Sequence, residues 1–128
     1  MKKRNELALH LIGEVGHYIL EANPKRLVIS LHLEDDGFHL KILDDIVRSD
    51  KEIEEMNLML HETQRPELAG YYGSMTGFET LGHARLGMVG WQVKHGEVRH
   101  RDGGSQIDIW LGGEQFDPTH FTIPADKA

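Results

Sequence analysis

The order of residues 85 to 111 restricts the fold of this chain more than any other stretch of the sequence. Gly87 opens a predicted short helix, and Gly96 closes it, because helices commonly end at a glycine that can adopt left-handed backbone. Two alternating strands follow, joined by Asp102-Gly103-Gly104-Ser105, which is a strong hairpin signal. The stretch therefore predicts a helix followed by an antiparallel hairpin.

The N-terminal third predicts another helix and another hairpin. Apolar residues recur at three- and four-residue spacing from Asn5 to Glu21, which is typical of an amphipathic helix that ends at Asn23-Pro24. Alternation then begins at Arg26 and continues beyond a turn at Asp35-Asp36-Gly37, which predicts an antiparallel hairpin with one buried side. The side chains predicted to point inward are Leu27, Ile29, Leu31, Leu33, Phe38, Leu40 and Ile42.

The middle of the chain predicts a capped helix and a long loop. Ser49 and Glu52 have capping-box spacing, so a helix is expected from about Asp50 to His61. Four glycines or prolines and three aromatics lie between Arg65 and Leu81, which favours a loop. Long loops inside compact domains are often functional.

Paired strands separated by helices predict an α+β fold. We expect one domain, a two-layer sandwich, with a mixed and mainly antiparallel sheet of four or five strands and about three helices on one face. Residues 113 to 128 are expected to form a C-terminal tail, docked through Phe116 and Phe121. The predicted buried side of the sheet consists of Leu27, Ile29, Leu31, Phe38, Leu40, Ile42, Val98, Ile107, Ile109 and Leu111.

Charge and composition exclude several classes of function. The net charge of −7 argues against nucleic-acid and anionic-membrane binding, since both depend on basic patches. Zero cysteines exclude disulfides and thiolate zinc sites. No apolar run reaches the roughly 18 residues of a membrane span, so we expect a cytoplasmic protein with a protein or small-molecule partner.

The layout resembles the GHKL family of ATP-binding domains, found in histidine kinases and anti-sigma-factor kinases. In that family a "GLGL" loop leads a helix, as Arg85-Leu86-Gly87-Met88 does here, and a "GGT" turn separates the last two strands, as Gly103-Gly104-Ser105 does here. The resemblance covers roughly residues 5 to 112. It implies a histidine-kinase ATPase-like fold.

The resemblance also implies a nucleotide site in which several motif residues are replaced. Glu14 falls on the Glu that acts on the attacking water, but Tyr18 replaces the magnesium-binding Asn, and magnesium needs oxygen ligands. Asp44 falls on the Asp that accepts a hydrogen bond from the adenine amino group, while Ile46 and Arg48 replace two glycines of the pocket floor.

Each of these residues also has a structural interpretation. Glu14 is then a polar residue beside a buried stripe, and Asp44 is a strand-end acid beside a turn. Gly87 keeps part of the phosphate loop, and Arg85 is either a phosphate donor or a solvated surface charge.

An aromatic group lies in the long loop, where the family has its ATP lid. Tyr71, Tyr72, Met75 and Phe78 are candidate protein contacts, because aromatics and methionine concentrate in binding patches. The alternative is that they fill the vacated pocket. Trp91 and Trp110 are further candidates outside the loop.

The chain has nine histidines, but they do not form a compact metal motif. His10 and His17 lie on one side of the first helix roughly 10 Å apart, which is too far for one ion. His32 and His39 both fall on the outer face of the first hairpin. No metal site is predicted, and a site assembled in three dimensions stays open.

The sequence favours a regulatory or adaptor protein that binds ATP weakly or not at all. It would act on a protein partner or a second copy of itself, with no cofactor. One alternative is a serine/threonine kinase of the anti-sigma-factor type, which would use ATP and magnesium with Glu14, Asp44 and Gly87. A histidine-based metal-binding protein is the other.

Overall fold

The computed structural model describes residues 2–62, 92–113 and 115–117. This part of the chain is α+β, with two helices and a four-stranded antiparallel sheet. Its elements in chain order are α1 (Lys3–Leu20), β1 (Leu27–Glu34), β2 (Gly37–Asp44), α2 (Asp50–Glu62), β3 (Gln92–Arg101) and β4 (Gly104–Gly112). The predicted loop from 65 to 81 and the third helix before residue 92 lie outside the described residues.

The sheet has the strand order β1-β2-β4-β3. The two hairpins β1–β2 and β3–β4 are therefore joined through their second strands, and β2 and β4 lie at the centre. Partners across an antiparallel ladder share a face, so the register divides the side chains between an inner face, on which the helices pack, and an outer face. The inner-face residues Leu40, Ile42, Ile107 and Ile109 have no exposed surface.

Helix α1 forms where the apolar spacing predicts it. Leu7, Leu11 and Ile19 are fully buried and pack with the inner face of the sheet. The helix ends in hydrogen bonds from the backbone N–H groups of Glu21 and Ala22, and Asn23 follows with φ 57°. A left-handed residue at this point stops the helix, because the backbone cannot continue its right-handed path.

Helix α2 begins with the predicted capping box. Ser49 Oγ accepts from the backbone N–H of Glu52 at 3.1 Å, and Glu52 Oε1 accepts from the backbone N–H of Ser49 at 3.2 Å. The helix packs on β3, where the Asn57 side chain donates to the Val98 carbonyl and accepts from the Val98 N–H, both at 2.7 Å.

The prediction that Gly96 closes a helix is wrong. Gly96 lies within β3 and pairs with Ile109 of β4. A Cβ atom at Gly96 would lie 3.2 Å from Leu60 Cβ, so the glycine allows α2 to approach the sheet closely. A β-bulge between Val93 and His95 breaks the alternation of β3, which explains why the strand signal is weak in the sequence.

The two glycines predicted in the second hairpin turn have different structural roles. Gly103 has φ 73° and occupies the turn position that requires left-handed backbone. Gly104 already pairs with Arg101, and it lies against the Asp44 carbonyl, where a side chain would collide. The turn thus brings the start of β4 next to the end of β2.

The predicted inner face is confirmed except at the far end of β1. Leu27 and Ile29 pack partly buried against the core, but Leu31 and Leu33 are 38% and 43% exposed. The prediction that these two are buried is wrong, because α1 contacts β2 and β1 is an edge strand. The remaining predicted residues are buried, namely Phe38, Leu40, Ile42, Val98, Ile107, Ile109 and Leu111.

The start of the predicted tail is docked on the first hairpin. Asp36 accepts from the backbone N–H of Gly113 through its carbonyl at 3.0 Å and from that of Gln115 through Oδ2 at 2.9 Å. The Phe116 ring is buried against Gly37 and Gly112, which confirms the prediction for this residue. Phe121 lies outside the described residues.

Neither α1 nor α2 combines the length and apolarity that a membrane span requires.

Candidate functional site

The predicted adenine-binding carboxylate lies in a buried polar cluster at the end of β2. Asp44 Oδ1 accepts from Ser105 Oγ at 2.9 Å and from the Ile46 backbone N–H at 2.9 Å. Arg48 Nη1 lies 3.1 Å from both carboxylate oxygens of Asp44, and it also donates to Ser105 Oγ. We call Asp44, Arg48 and Ser105 the Asp44 cluster.

The local chain geometry explains how these residues meet. The hydrogen bond from the Ile46 N–H to the Asp44 side chain is an Asx-type turn, which reverses the chain as it leaves β2. Arg48 is thereby turned back over the strand end, one residue before the cap of α2. Ser105 lies directly opposite Asp44 in the β2–β4 register. One local turn and one long-range strand pairing therefore build the cluster.

The Asp44 carboxylate is buried among its neighbours. Its side chain has no exposed surface, and that of Arg48 is only 5% exposed. Its Oδ1 accepts from Ile46, Ser105 and Arg48, while its Oδ2 accepts from Arg48. Because the carboxylate is buried, an adenine amino group could reach it only if neighbouring side chains moved.

The charge of Arg48 in this cluster acts on the Tyr18 side chain. Burial raises the pKa of the Tyr18 phenol, the Arg48 charge lowers it, and the carboxylates of Glu52 and Glu55 raise it further. The pKa is raised overall, so the phenol is neutral at physiological pH. The residue at the position where the resemblance implies a magnesium ligand is therefore under the electrostatic influence of one guanidinium and two carboxylates.

Glu14 is placed elsewhere, on the partly exposed surface of α1. Its Oε1 lies 4.0 Å from His10 Nε2, one helical turn away, and its side chain is 35% exposed. Among the described contacts none joins Glu14 to Asp44 or Arg48. The structure therefore leaves Glu14 in a surface pair, apart from the described contacts of the Asp44 cluster. The other predicted site residues lie outside the described residues, namely Arg85, Gly87, Tyr71, Tyr72, Met75, Phe78 and Trp91.

A second buried polar cluster, which the sequence did not indicate, lies on the outer face of the sheet. His39 Nε2 donates to Asp108 Oδ1 at 2.7 Å, and Gln106 Nε2 donates to Asp108 Oδ2 at 2.7 Å. All three residues are buried, and the Trp110 ring stacks on the His39 ring with centroids 4.1 Å apart. We call His39, Gln106 and Asp108 the Asp108 cluster.

The surroundings of Asp108 favour its charged form. Burial alone would raise the pKa of this carboxyl, but the hydrogen bonds from His39 and Gln106, with the charges of His39 and Arg99, lower it overall. The sequence signal for this pairing is weak, because His39 and Asp108 are 69 residues apart. Only the strand register places them diagonally across β2 and β4.

Three of the four histidines in the described strands form a row with Trp110, whereas His100 lies on the inner face and contacts Asp50. His32, His39, Trp110 and His95 follow one another across the four strands on the outer face. This confirms that His32 and His39 share that face. Within residues 2–62, 92–113 and 115–117, no three His, Asp or Glu side chains are arranged to hold a metal ion.

No family model matches this chain, and neither a curated protein nor a solved structure matches it. The resemblance to the GHKL domain therefore rests on the order of elements and on the position of Asp44.

Proposed function

We propose that this protein is a regulatory or adaptor protein built on a histidine-kinase-like ATPase layout, which acts through protein contacts and binds ATP weakly or not at all. The observation that supports this most directly is the contact of Arg48 with Asp44. The side chain that replaces a pocket glycine of the family occupies the carboxylate that would receive adenine.

The energetics of a buried ion pair favour this closed arrangement. To free Asp44 for adenine, the guanidinium of Arg48 would have to leave its only described carboxylate partner inside the protein. Breaking a buried pair costs about 3–5 kcal/mol, because it leaves an uncompensated charge. One adenine hydrogen bond returns about 1 kcal/mol, so it does not offset that cost.

The metal position supports the same proposal. Magnesium binds oxygen ligands in octahedral geometry, usually through carboxylates, phosphates and water. The Tyr18 phenol is neutral, and the positive charge of Arg48 acts on it. A cation next to the metal position disfavours a divalent metal ion by Coulomb repulsion.

Protein contact is the activity that remains once catalysis is set aside. The loop residues Tyr71, Tyr72, Met75 and Phe78 stay the predicted contact surface for a protein partner or a second copy. The third helix, the phosphate loop with Arg85 and Gly87 and the full ATPase-like fold belong to the same proposal.

Calorimetric titration of the full chain with Mg-ATP tests the proposal. We expect no saturable binding at micromolar nucleotide. Micromolar affinity, lost in Asp44→Asn and kept in Asp45→Asn, would overturn the proposal in favour of the anti-sigma-factor type of kinase. Asp45 is the matched control, because it adjoins Asp44 but accepts instead from the exposed Lys25 N–H.

A further inference from the structure

Strand β1, at the edge of the described sheet, carries three exposed apolar side chains. Val28, Leu31 and Leu33 are 43%, 38% and 43% exposed. Val28 lies on the outer face of the sheet, while Leu31 and Leu33 lie on the inner face beyond the cover of α1. Apolar side chains are thus exposed on both faces of one edge strand.

The backbone along this edge is also regular enough to form hydrogen bonds with another strand. β1 follows β2 in unbroken register from Leu27 to Glu34, without a bulge or a proline. In an antiparallel ladder every second residue points its N–H and C=O away from the neighbouring strand. Within the described part of the chain, no strand pairs with that side of β1. A regular apolar edge of this kind is a template for another strand.

The opposite edge of the sheet is protected in two ways. The bulge between Val93 and His95 interrupts β3, and bulges hinder edge-to-edge pairing. In addition, the Asn57 side chain takes both the N–H and the C=O of Val98 in the middle of the strand. On β1 the side-chain contact described to the backbone, from Arg4 to the Glu34 carbonyl, lies at the last residue of the strand. Of the two edges of the described sheet, the β1 edge therefore offers the continuous ladder.

We infer that two copies of this chain pair through β1, antiparallel about a twofold axis at Ser30, to form one continuous eight-stranded sheet. The inference gives the proposed protein contacts a surface and a partner, and to that extent it rests on the proposed function. It involves neither the Asp44 cluster nor nucleotide.

The apolar side chains set the register of this pairing. An axis at Ser30 places Leu27 opposite Leu33 of the second copy and Ile29 opposite its Leu31. Partners in an antiparallel pair share a face, so these contacts lie on the inner face of both sheets. By symmetry each contact occurs twice, as in any isologous dimer.

The charged residues at the ends of β1 agree with the same register. Arg26, which directly precedes β1, falls opposite Glu34 of the second copy, which gives two ion pairs across the dimer. Moving the axis to Leu31 would set Val28 opposite Glu34, and moving it to Ile29 would set Arg26 opposite His32. Both shifts lose the ion pairs, so charge complementarity selects Ser30.

Light scattering on a size-exclusion column tests the inference with the full chain. We expect a dimer of twice the 14.6 kDa chain mass. Leu31→Lys should give a monomer, because a lysine on an edge strand opposes strand pairing. Leu58→Lys on α2, where the side chain is 51% exposed, is the matched control and should stay dimeric.

A charge swap tests the register without touching the apolar residues. Arg26→Glu alone should raise the dimer dissociation constant about tenfold, since it sets like charges opposite each other in two symmetric places. Adding Glu34→Arg should restore the affinity. If Leu31→Lys fails to fold, the charge swap still tests the dimer. Arg26 is exposed and Glu34 is half-exposed at the strand ends, so the fold tolerates substitutions there.

A monomeric wild-type chain at high micromolar concentration would overturn the inference, as would a dimer that persists in Leu31→Lys or a charge swap that restores nothing. These outcomes are separate from the nucleotide test. A dimer that binds Mg-ATP contradicts only the proposed function, and a monomer that binds none contradicts only the dimer.

Discussion

The Asp44 cluster and the Asp108 cluster are both buried carboxylates held between β2 and β4, yet they differ in their partners. Asp44 is paired with an arginine, whose guanidinium always carries its charge. Asp108 is paired with a histidine and an amide, and neither of these side chains is a guanidinium with a fixed charge. Loss of the carboxylate therefore leaves a buried fixed charge in the first cluster but not in the second.

The two clusters also differ in what they fix. The Asp44 cluster ties the chain between β2 and α2 to the start of β4, at the place where the GHKL resemblance implies a ligand. The Asp108 cluster lies along the middle of the sheet and links only strands. A carboxylate with a fixed internal cation is poorly suited to recognise a ligand, which is why this comparison bears on function.

Removal of Asp44 should have the largest effect. Asp44→Ala leaves the Arg48 guanidinium buried without a carboxylate, so we expect the free energy of unfolding to fall by about 3–5 kcal/mol. Urea denaturation measures the loss. Asp45→Ala, which removes a neighbouring carboxylate with an exposed partner, should cost less than about 1 kcal/mol. Equal losses in the two variants would refute the assignment of Arg48 to Asp44.

Removal of Asp108 should cost less, because it leaves no arginine buried without a carboxylate. Asp108→Ala leaves the donors of His39 and Gln106 without this acceptor, and we expect a loss of about 1–3 kcal/mol in the free energy of unfolding. Glu97→Ala is the control, since Glu97 pairs with Asp108 in the register but is exposed. If Asp108→Ala lowered the free energy of unfolding as much as Asp44→Ala, the result would contradict the proposed difference between the two clusters.

Lowering the pH should reduce the contribution of the Asp108 cluster to the stability of the fold. The pKa of Asp108 is lowered in the folded protein, so its charged form stabilises the fold above the unfolded pKa of about 3.9. That contribution disappears as the pH falls through the folded pKa. The stability difference between the wild type and Asp108→Asn should therefore narrow below about pH 4, when both are unfolded by urea at successive pH values. A difference that stays constant down to pH 2 would contradict the lowered pKa.

Much of the fold follows from local sequence signals. Helix α1 follows from apolar spacing, and the start of α2 follows from Ser49 and Glu52, because both depend on residues within one or two turns. The prediction that Gly96 ends a helix is wrong because the role of this glycine is set by Leu60, which lies 36 positions earlier in the sequence. The prediction that Leu31 is buried is wrong because alternation gives the face of a side chain but not whether its strand lies at an edge.

The candidate site shows the same limit. The sequence shows the acid at the end of β2 and, four positions later, Arg48, where the GHKL resemblance implies a glycine. That Arg48 turns back onto Asp44 depends on the turn at Ile46, and that Ser105 joins them depends on the β2–β4 register. The His39–Asp108 pair has no local signal, because alternation marks both residues only as outward-facing and polar.

Loss of the Ser105 hydroxyl should have the smallest effect of the four changes. Ser105→Ala removes one donor to Asp44 Oδ1, but the Ile46 N–H and Arg48 still contact that oxygen. The ion pair stays intact, so we expect a loss of about 0.5–1.5 kcal/mol in the free energy of unfolding. In the Asp44→Ala background the same substitution should cost less, because the carboxylate that accepted the hydroxyl is absent. A double-mutant cycle by urea denaturation measures this coupling, and strictly additive losses would mean that Ser105 acts independently of Asp44.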